Sequence, residues 1–193
     1  MKSVCIYCGS SVGTPPIYLE LATAMGHTLA QRGITLVYGG AAVGLMGAVA
    51  DAALAAGGRV IGVIPRSLEE KEIAHGNLSE LHIVESMHAR KAMLIDLSDA
   101  LIALPGGFGT WDELCEAVTW GQLGVHTKPC GLLNAAGYYD GLLAQLDHAI
   151  TEGFVHAHHR DLLVVENDVE RLIDRVETHR VPQLPKWVGP AET

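Results

Sequence analysis

Leu104-Pro105-Gly106-Gly107-Phe108-Gly109-Thr110-Trp111-Asp112-Glu113 stands where the apolar run from Ala100 to Leu104 gives way to a helical pattern. A strand that stops at Pro-Gly-Gly and resumes as a helix at Thr110 leaves backbone N–H groups pointing outward at the positive end of that helix, which makes an anion cradle. The glycines carry no Cβ and let the main chain approach a ligand closely. The Thr110 hydroxyl is placed to cap the helix, which puts Asp112 and Glu113 in a first turn where carboxylates are favoured. Capping alone would account for such a stretch in many α/β proteins, so its neighbours decide what it is for.

Working outward, the chain alternates strand and helix. Short apolar runs from Val4 to Tyr7, Ile34 to Tyr38, Arg59 to Ile64, Leu81 to Val84, Ala100 to Leu104, Pro129 to Leu133 and Leu162 to Val165 read as seven strands. Helical spacing fills the intervals: Pro15-Pro16 opens one helix, an alanine-rich helix ends at Gly57-Gly58, and another runs from about Ser86 to Leu97. Repeated βα units of this length predict an α/β fold, a single-domain, Rossmann-like, doubly wound parallel sheet with helices on both faces, whose ligands bind at the carboxyl ends of the strands. The domain is expected over residues 1–180, with 181–193, rich in proline and carrying Trp187, as an extended tail.

Composition narrows the partners. With 193 residues, 49% hydrophobic content and 22 glycines, one substantial core suffices. A formal charge of −9, from 13 Lys and Arg against 22 acids, argues against a broad nucleic-acid or anionic-membrane surface. No apolar run approaches the roughly 18 residues of a membrane span, and the first seven residues are too short for a signal-peptide core, so a cytoplasmic location is expected. The four cysteines form no disulfide framework. Cys5 and Cys8 flank a strand rather than open a helix, and with Cys115 and Cys130 they read as core thiols.

Three Gly-rich loops fall on the same sheet edge: Gly9 to Gly13, Gly39 to Gly47 and Pro105 to Gly109. The second has Leu45-Met46 where a P-loop needs Lys and Ser or Thr, and the second strand ends in Tyr38 rather than an acid that would hold a ribose hydroxyl. A small molecule bearing phosphate in another manner remains, with Ser10 and Gly40 of the first two loops as candidate contacts. Ser10 and Ser11 lack the G-x-S-x-G elbow of a nucleophile. Beside the loops, Met87-His88-Ala89-Arg90-Lys91 sets two cations at a helix N-terminus, against the helix dipole, which an anion would relieve. Arg90 offers a fork of hydrogen bonds and Lys91 a point charge. The polar loop His156-Ala157-His158-His159 lacks the i, i+4 spacing of a helical zinc site, and no metal is expected.

The pairing of Met87-His88-Ala89-Arg90-Lys91 with Pro105-Gly106-Gly107-Phe108-Gly109-Thr110-Trp111-Asp112-Glu113 resembles the LOG ("lonely guy") family, with its P-G-G-x-G-T-x-x-E pattern. The likeness extends through Cys8-Gly9-Ser10-Ser11, Gly44-Leu45-Met46-Gly47, Lys71-Glu72-Ile73 and Gln122-Leu123-Gly124 to about Leu143. It implies a phosphoribohydrolase that cleaves cytokinin riboside 5'-monophosphate or AMP to free base and ribose 5-phosphate without metal or organic cofactor. Carried onto this chain, it implies Arg90 and Glu113 in catalysis, with Glu72, Lys91, Gly107, Phe108, Gly109, Thr110, Trp111 and Thr119 lining the substrate site. It further implies a homodimer or higher homo-oligomer with the site near the subunit contact.

Breaking a ribosyl C–N bond develops positive charge on the sugar, which a carboxylate at Glu113 would stabilise while orienting water. On a regular helix Glu113, Glu116 and Trp120 share one face, and Trp111, Leu114 and Cys115 the opposite, core-facing one. The acid that protonates the leaving base is not identified by the sequence. A non-catalytic nucleotide or cofactor carrier would keep the loops and cations without needing Glu113. Relatives of the family also carry the label of possible lysine decarboxylases, but the lysine at the expected site, Lys91, is better explained by phosphate than by a Schiff base.

Overall fold

The computed structural model describes residues 1–69 and 74–182. Its strands are β1 (Ser3–Tyr7), β2 (Thr35–Tyr38), β3 (Val60–Pro65), β4 (Glu80–Val84), β5 (Ala100–Ala103), β6 (Cys130–Leu133) and β7 (Leu163–Glu166). Between them run α1 (Ile17–Gln31), α2 (Gly44–Ala55), the single turn α3 (Arg66–Glu69), α4 (Met87–Asp96), α5 (Phe108–Gln122) and α6 (Asp140–Thr151), and α7 (Val169–Thr178) follows the last strand. The seven strands form one sheet in the order β4-β3-β2-β1-β5-β6-β7, every pair parallel. The α/β fold expected from the alternation is therefore the fold observed.

Period-two alternation in the central strands sends side chains to two cores, one on each face. Val4, Ile6, Leu36, Tyr38 and Ile102 pack with Met25 and Leu29 of α1, Val49 of α2 and Leu172 of α7. Cys5, Tyr7, Val37 and Leu101 pack on the other face with Leu94 of α4, Leu114 of α5 and Tyr139. Cys5, Cys8 and Cys130 are buried free thiols, as expected.

This topology fixes where a ligand can sit. The chain runs outward from β1 to β4, then returns to the other side of β1 as β5, so neighbouring loops diverge at the carboxyl ends of β1 and β5 and leave a crevice. The loops after these strands are tied by a hydrogen bond from Gly9 N–H to the Pro105 carbonyl at 3.1 Å, and Leu45 N–H at the start of α2 donates to the Gly9 carbonyl at 3.0 Å. All three Gly-rich loops thus converge.

Two expectations about α5 are corrected. The helix begins at Phe108 with Gly107 as its N-cap residue, and the first intrahelical bond runs from Trp111 N–H to the Gly107 carbonyl at 3.0 Å. Thr110 is therefore inside the first turn and buried rather than capping, and Asp112 and Glu113 lie beyond that turn. The glycine can take the cap position because it has no side chain to place, so the helix starts three residues earlier than the hydroxyl suggested. The buried stripe of α5 is Thr110, Leu114, Ala117 and Gly121, which leaves Trp111 partly exposed and Cys115 exposed. Cys115 is thus no core residue: it is one position past Leu114, rotated by about 100° toward the outer groove. The proposed tail falls almost wholly outside the described residues.

Candidate active site

At the β1/β5 crevice a cleft of about 250 Å³ is lined by Cys8, Ser10, Met46, Met87, Arg90 and, at the start of α5, Gly107 to Thr110 with Asp112 and Glu113. Each wall follows from a local rule. Ser86 caps α4, accepting from Ala89 N–H at 3.1 Å, which starts that helix at Met87 and delivers Arg90 after one turn. Arg90 is 5% exposed, and its Nη2 donates to the carbonyl of Gly39, 51 residues away at the end of β2, at 2.9 Å. A Cβ at Gly39 would lie 2.1 Å from that nitrogen, so glycine is the residue that leaves room for the guanidinium. On the opposite wall no side-chain cap is made at Gly107. The amides of Phe108, Gly109 and Thr110 precede the first intrahelical bond and present the positive end of α5 to the cleft.

Glu113 completes the wall from the second turn of α5, half-buried. Its charge reaches the cleft floor. Burial first, and then the Glu113 carboxylate, push the Cys8 thiol far above its ordinary value, and the same two causes act on Cys5. Cys8 therefore stays protonated and is no thiolate nucleophile. The cleft thus sets an acidic group and a guanidinium beside a helix N-terminus, an arrangement suited to holding an anionic group while stabilising positive charge next to it.

The other expected site residues divide. Ser10, Gly107, Phe108, Gly109 and Thr110 line the cleft with Arg90 and Glu113. Lys91 does not. Its amine meets Asp112 and Glu116 of α5, each at 3.1 Å, and although burial pulls its pKa down, the Glu116 and Asp112 hydrogen bonds outweigh that and hold it above the usual lysine range. Lys91 therefore clamps α4 to α5, and part of the cationic pair is neutralised within the protein. Thr119 lies in an apolar groove with Leu114, Val118, Leu142 and Leu146, and Trp111 borders a separate hollow with Tyr138 and Tyr139. Gly40 is buried behind the cleft, with φ +79° and its carbonyl accepting from His75 N–H. Glu72 lies outside the described residues.

Cys8, Met46, Leu68 and Met87 also line the cleft. Leu68 carries no signal in the sequence, while Cys8, Met46 and Met87 belong to the Cys8–Ser11, Gly44–Gly47 and Met87–Lys91 stretches, whose pattern gives those three no role. The His156 and His158 rings stack at 5.5 Å and His159 meets both edge-on, at 5.5 and 4.3 Å, and among the described residues no group of three His, Cys, Asp or Glu is disposed to hold a metal.

Fold and cleft together define a Rossmann-like α/β protein with a helix start that no side chain caps, a buried arginine and a carboxylate at its switch point. A sequence-family model described as "Possible lysine decarboxylase" matches residues 46–176. A probable cytokinin riboside 5'-monophosphate phosphoribohydrolase of Oryza sativa subsp. japonica is 47% identical over 178 residues, covering 92% of this chain and 78% of that protein. Proteins named cytokinin riboside 5'-monophosphate phosphoribohydrolase from Rhodococcoides fascians (48% over 178 residues, 92% and 90% covered) and Arabidopsis thaliana (45% over 188 residues, 97% and 88% covered) agree. The chain belongs to this family of phosphoribohydrolases, the LOG family. Among solved structures, the molybdenum cofactor binding protein of Rippkaea orientalis superposes with a TM-score of 0.70 at 24% identity, covering 92% of this chain and 97% of that one, and shares the fold. The decarboxylase description does not fit the cleft. Among the described residues no lysine lines it to form the Schiff base a pyridoxal phosphate enzyme needs, and Lys91 is held charged between two acids.

Proposed function

We propose that the chain hydrolyses nucleoside 5'-monophosphates, cytokinin riboside 5'-monophosphate and AMP among them, releasing free base and ribose 5-phosphate. The observation that carries this reading is the convergence on one cleft of Glu113, Arg90 and the amides that open α5. In this reading the 5'-phosphate lies against residues 107–110, with Arg90 on the phosphate or the sugar. The C1'–N bond lengthens toward an oxocarbenium-like ribosyl cation, which the Glu113 carboxylate stabilises. Glu113 also orients the water whose oxygen bonds to C1', and the base leaves with a proton. Incubation with a panel of nucleoside monophosphates, with free bases separated by chromatography, tests the reading. Binding without base release would favour a carrier.

Placing phosphate at the helix start has a measurable corollary. Remote binding energy orients the sugar, so AMP is expected to exceed adenosine in kcat/KM by about 10²-fold or more. Comparable turnover of the two would remove the phosphate from residues 107–110.

We further propose a cytoplasmic homodimer or higher homo-oligomer formed through α5 and α6. No helix among the described residues is long and apolar enough to cross a membrane. Phe108 is 85% exposed and stacks edge-on against Trp111 at 5.3 Å. Beside them the groove of about 260 Å³ between α5 and α6 is lined by Leu114, Val118, Leu142 and Leu146, and α6 buries none of its residues fully within one chain. A second copy on this face would cover the apolar surface and bring Thr119 and Trp111 to a subunit boundary. Light scattering at micromolar concentration should give at least twice the chain mass, and Leu146→Arg should shift it to the single-chain value. A single-chain mass for the parent would refute the assembly.

A further inference from the structure

The Gly-rich loop that opens α5 is held by the hydroxyls of two consecutive tyrosines that no motif announces. Tyr138 Oη donates to the carbonyl of Gly106 at 2.5 Å, and Tyr139 Oη donates to the carbonyl of Leu104 at 2.6 Å. Tyr139 is buried and belongs to the core. Tyr138 is 36% exposed, and its ring meets Tyr18 edge-on at 5.5 Å and Tyr139 at 4.8 Å.

The segment that presents them is built at some conformational cost. It follows β6 through a turn in which Ala136 has φ +50°, the one non-glycine residue with positive φ among the described residues, and Gly137 follows at φ +72°. Such a backbone persists where its surroundings over-determine it. Here Asn134 supplies the restraint, its Oδ1 accepting from Tyr139 N–H and its Nδ2 donating to Asp140 Oδ1, each at 2.7 Å.

We propose that Tyr138 is a positioning residue for the anion site, fixing the Gly106–Gly107 peptide so that the Gly107 N–H faces the cleft. In a trans peptide the C=O and the following N–H point in opposite directions, so a hydroxyl that holds the Gly106 carbonyl on the Tyr138 side directs the next N–H away from it. A flexible Gly-Gly peptide would otherwise flip at little cost, because glycine populates positive and negative φ about equally. The closeness of Thr110 adds to the restraint, since a Cβ at Gly106 would lie 2.1 Å from Thr110 Oγ1. The inference rests on the phosphate placement proposed above.

Tyr138→Phe keeps both ring contacts and removes only the hydroxyl. Loss of one well-aimed donor to a charged oxygen is expected to lower kcat/KM for AMP by about tenfold, mostly through KM. Turnover of adenosine, which has no phosphate to hold, should stay within about twofold of the parent value. A purely structural role would lower both substrates alike, and that result, or no change in either, would overturn the inference. If the parent enzyme discriminates AMP from adenosine while Tyr138→Phe changes neither, the inference fails and the phosphate placement stands. If the parent does not discriminate, both fall together.

Discussion

A Glu113→Gln protein is expected to fold as the parent does, bind nucleoside monophosphate with nearly parental affinity, and release base about 10²-fold more slowly or worse. Gln preserves the shape of the side chain and removes its charge. A 10²-fold loss corresponds to about 2.7 kcal/mol of transition-state stabilisation, more than one exposed first-turn carboxylate gives a helix. The helix register strengthens the test, because Glu113 lies outside the first turn of α5 and has little macrodipole role to lose. Asp112 is the comparison. Its side chain is 63% exposed and paired with Lys91 at 3.1 Å, with Glu116 as a second partner for the same amine. An exposed pair of that kind is worth at most about 1 kcal/mol, so Asp112→Asn should cost less than about fivefold in rate. Parental release of base by a folded Glu113→Gln protein would remove the carboxylate from the mechanism.

The reach of the sequence can be judged residue by residue. Short apolar runs mark all seven strands, because the central strands β1, β2 and β5 are buried on both faces and are continuously apolar, and these three run on into the Gly-rich loops, whereas the edge strands β4 and β7 are only partly buried. The start of α4 falls within a residue of the position that helical spacing gives it, and the structure adds that Ser86 is its side-chain cap. The start of α5 is not legible in the sequence because its cap residue is a glycine, which leaves no side-chain signature, while Thr110 three residues on imitates one. Lys91 looked like half of a phosphate grip, because its partners Asp112 and Glu116 lie 21 and 25 positions away on another helix. The Tyr138 and Tyr139 hydroxyls, 32 and 35 residues from the carbonyls they hold, belong to the same class of contact. Periodicity carries which face a residue lies on. It does not carry which distant backbone atom a side chain will find.

The contact between Arg90 and Gly39 is the longest-range of these, and it yields the second large effect. Arg90→Lys keeps a positive charge but gives up the planar fork, so one amine would have to serve both the Gly39 carbonyl and a ligand. A loss of about 10²-fold or more in kcat/KM is expected, in line with removal of one preorganised charged donor from an active site. Gly39→Ala should reproduce much of that loss without touching the arginine. Its methyl would sit 2.1 Å from Arg90 Nη2 and 3.2 Å from Met46 Sδ, the ends of two flexible side chains, so the protein can accommodate it by moving the guanidinium rather than by unfolding. A displacement of about 1 Å at a group that positions substrate is enough for roughly 10²-fold. The double variant decides whether the glycine acts through the arginine. If it does, Gly39→Ala combined with Arg90→Lys should be no worse than Arg90→Lys alone by more than about threefold, because residues acting as one unit are not additive. Independent losses that multiply toward 10⁴-fold would mean that Gly39 serves the cleft by another route, and a Gly39→Ala protein with parental activity would show that the guanidinium works equally well away from the Gly39 carbonyl.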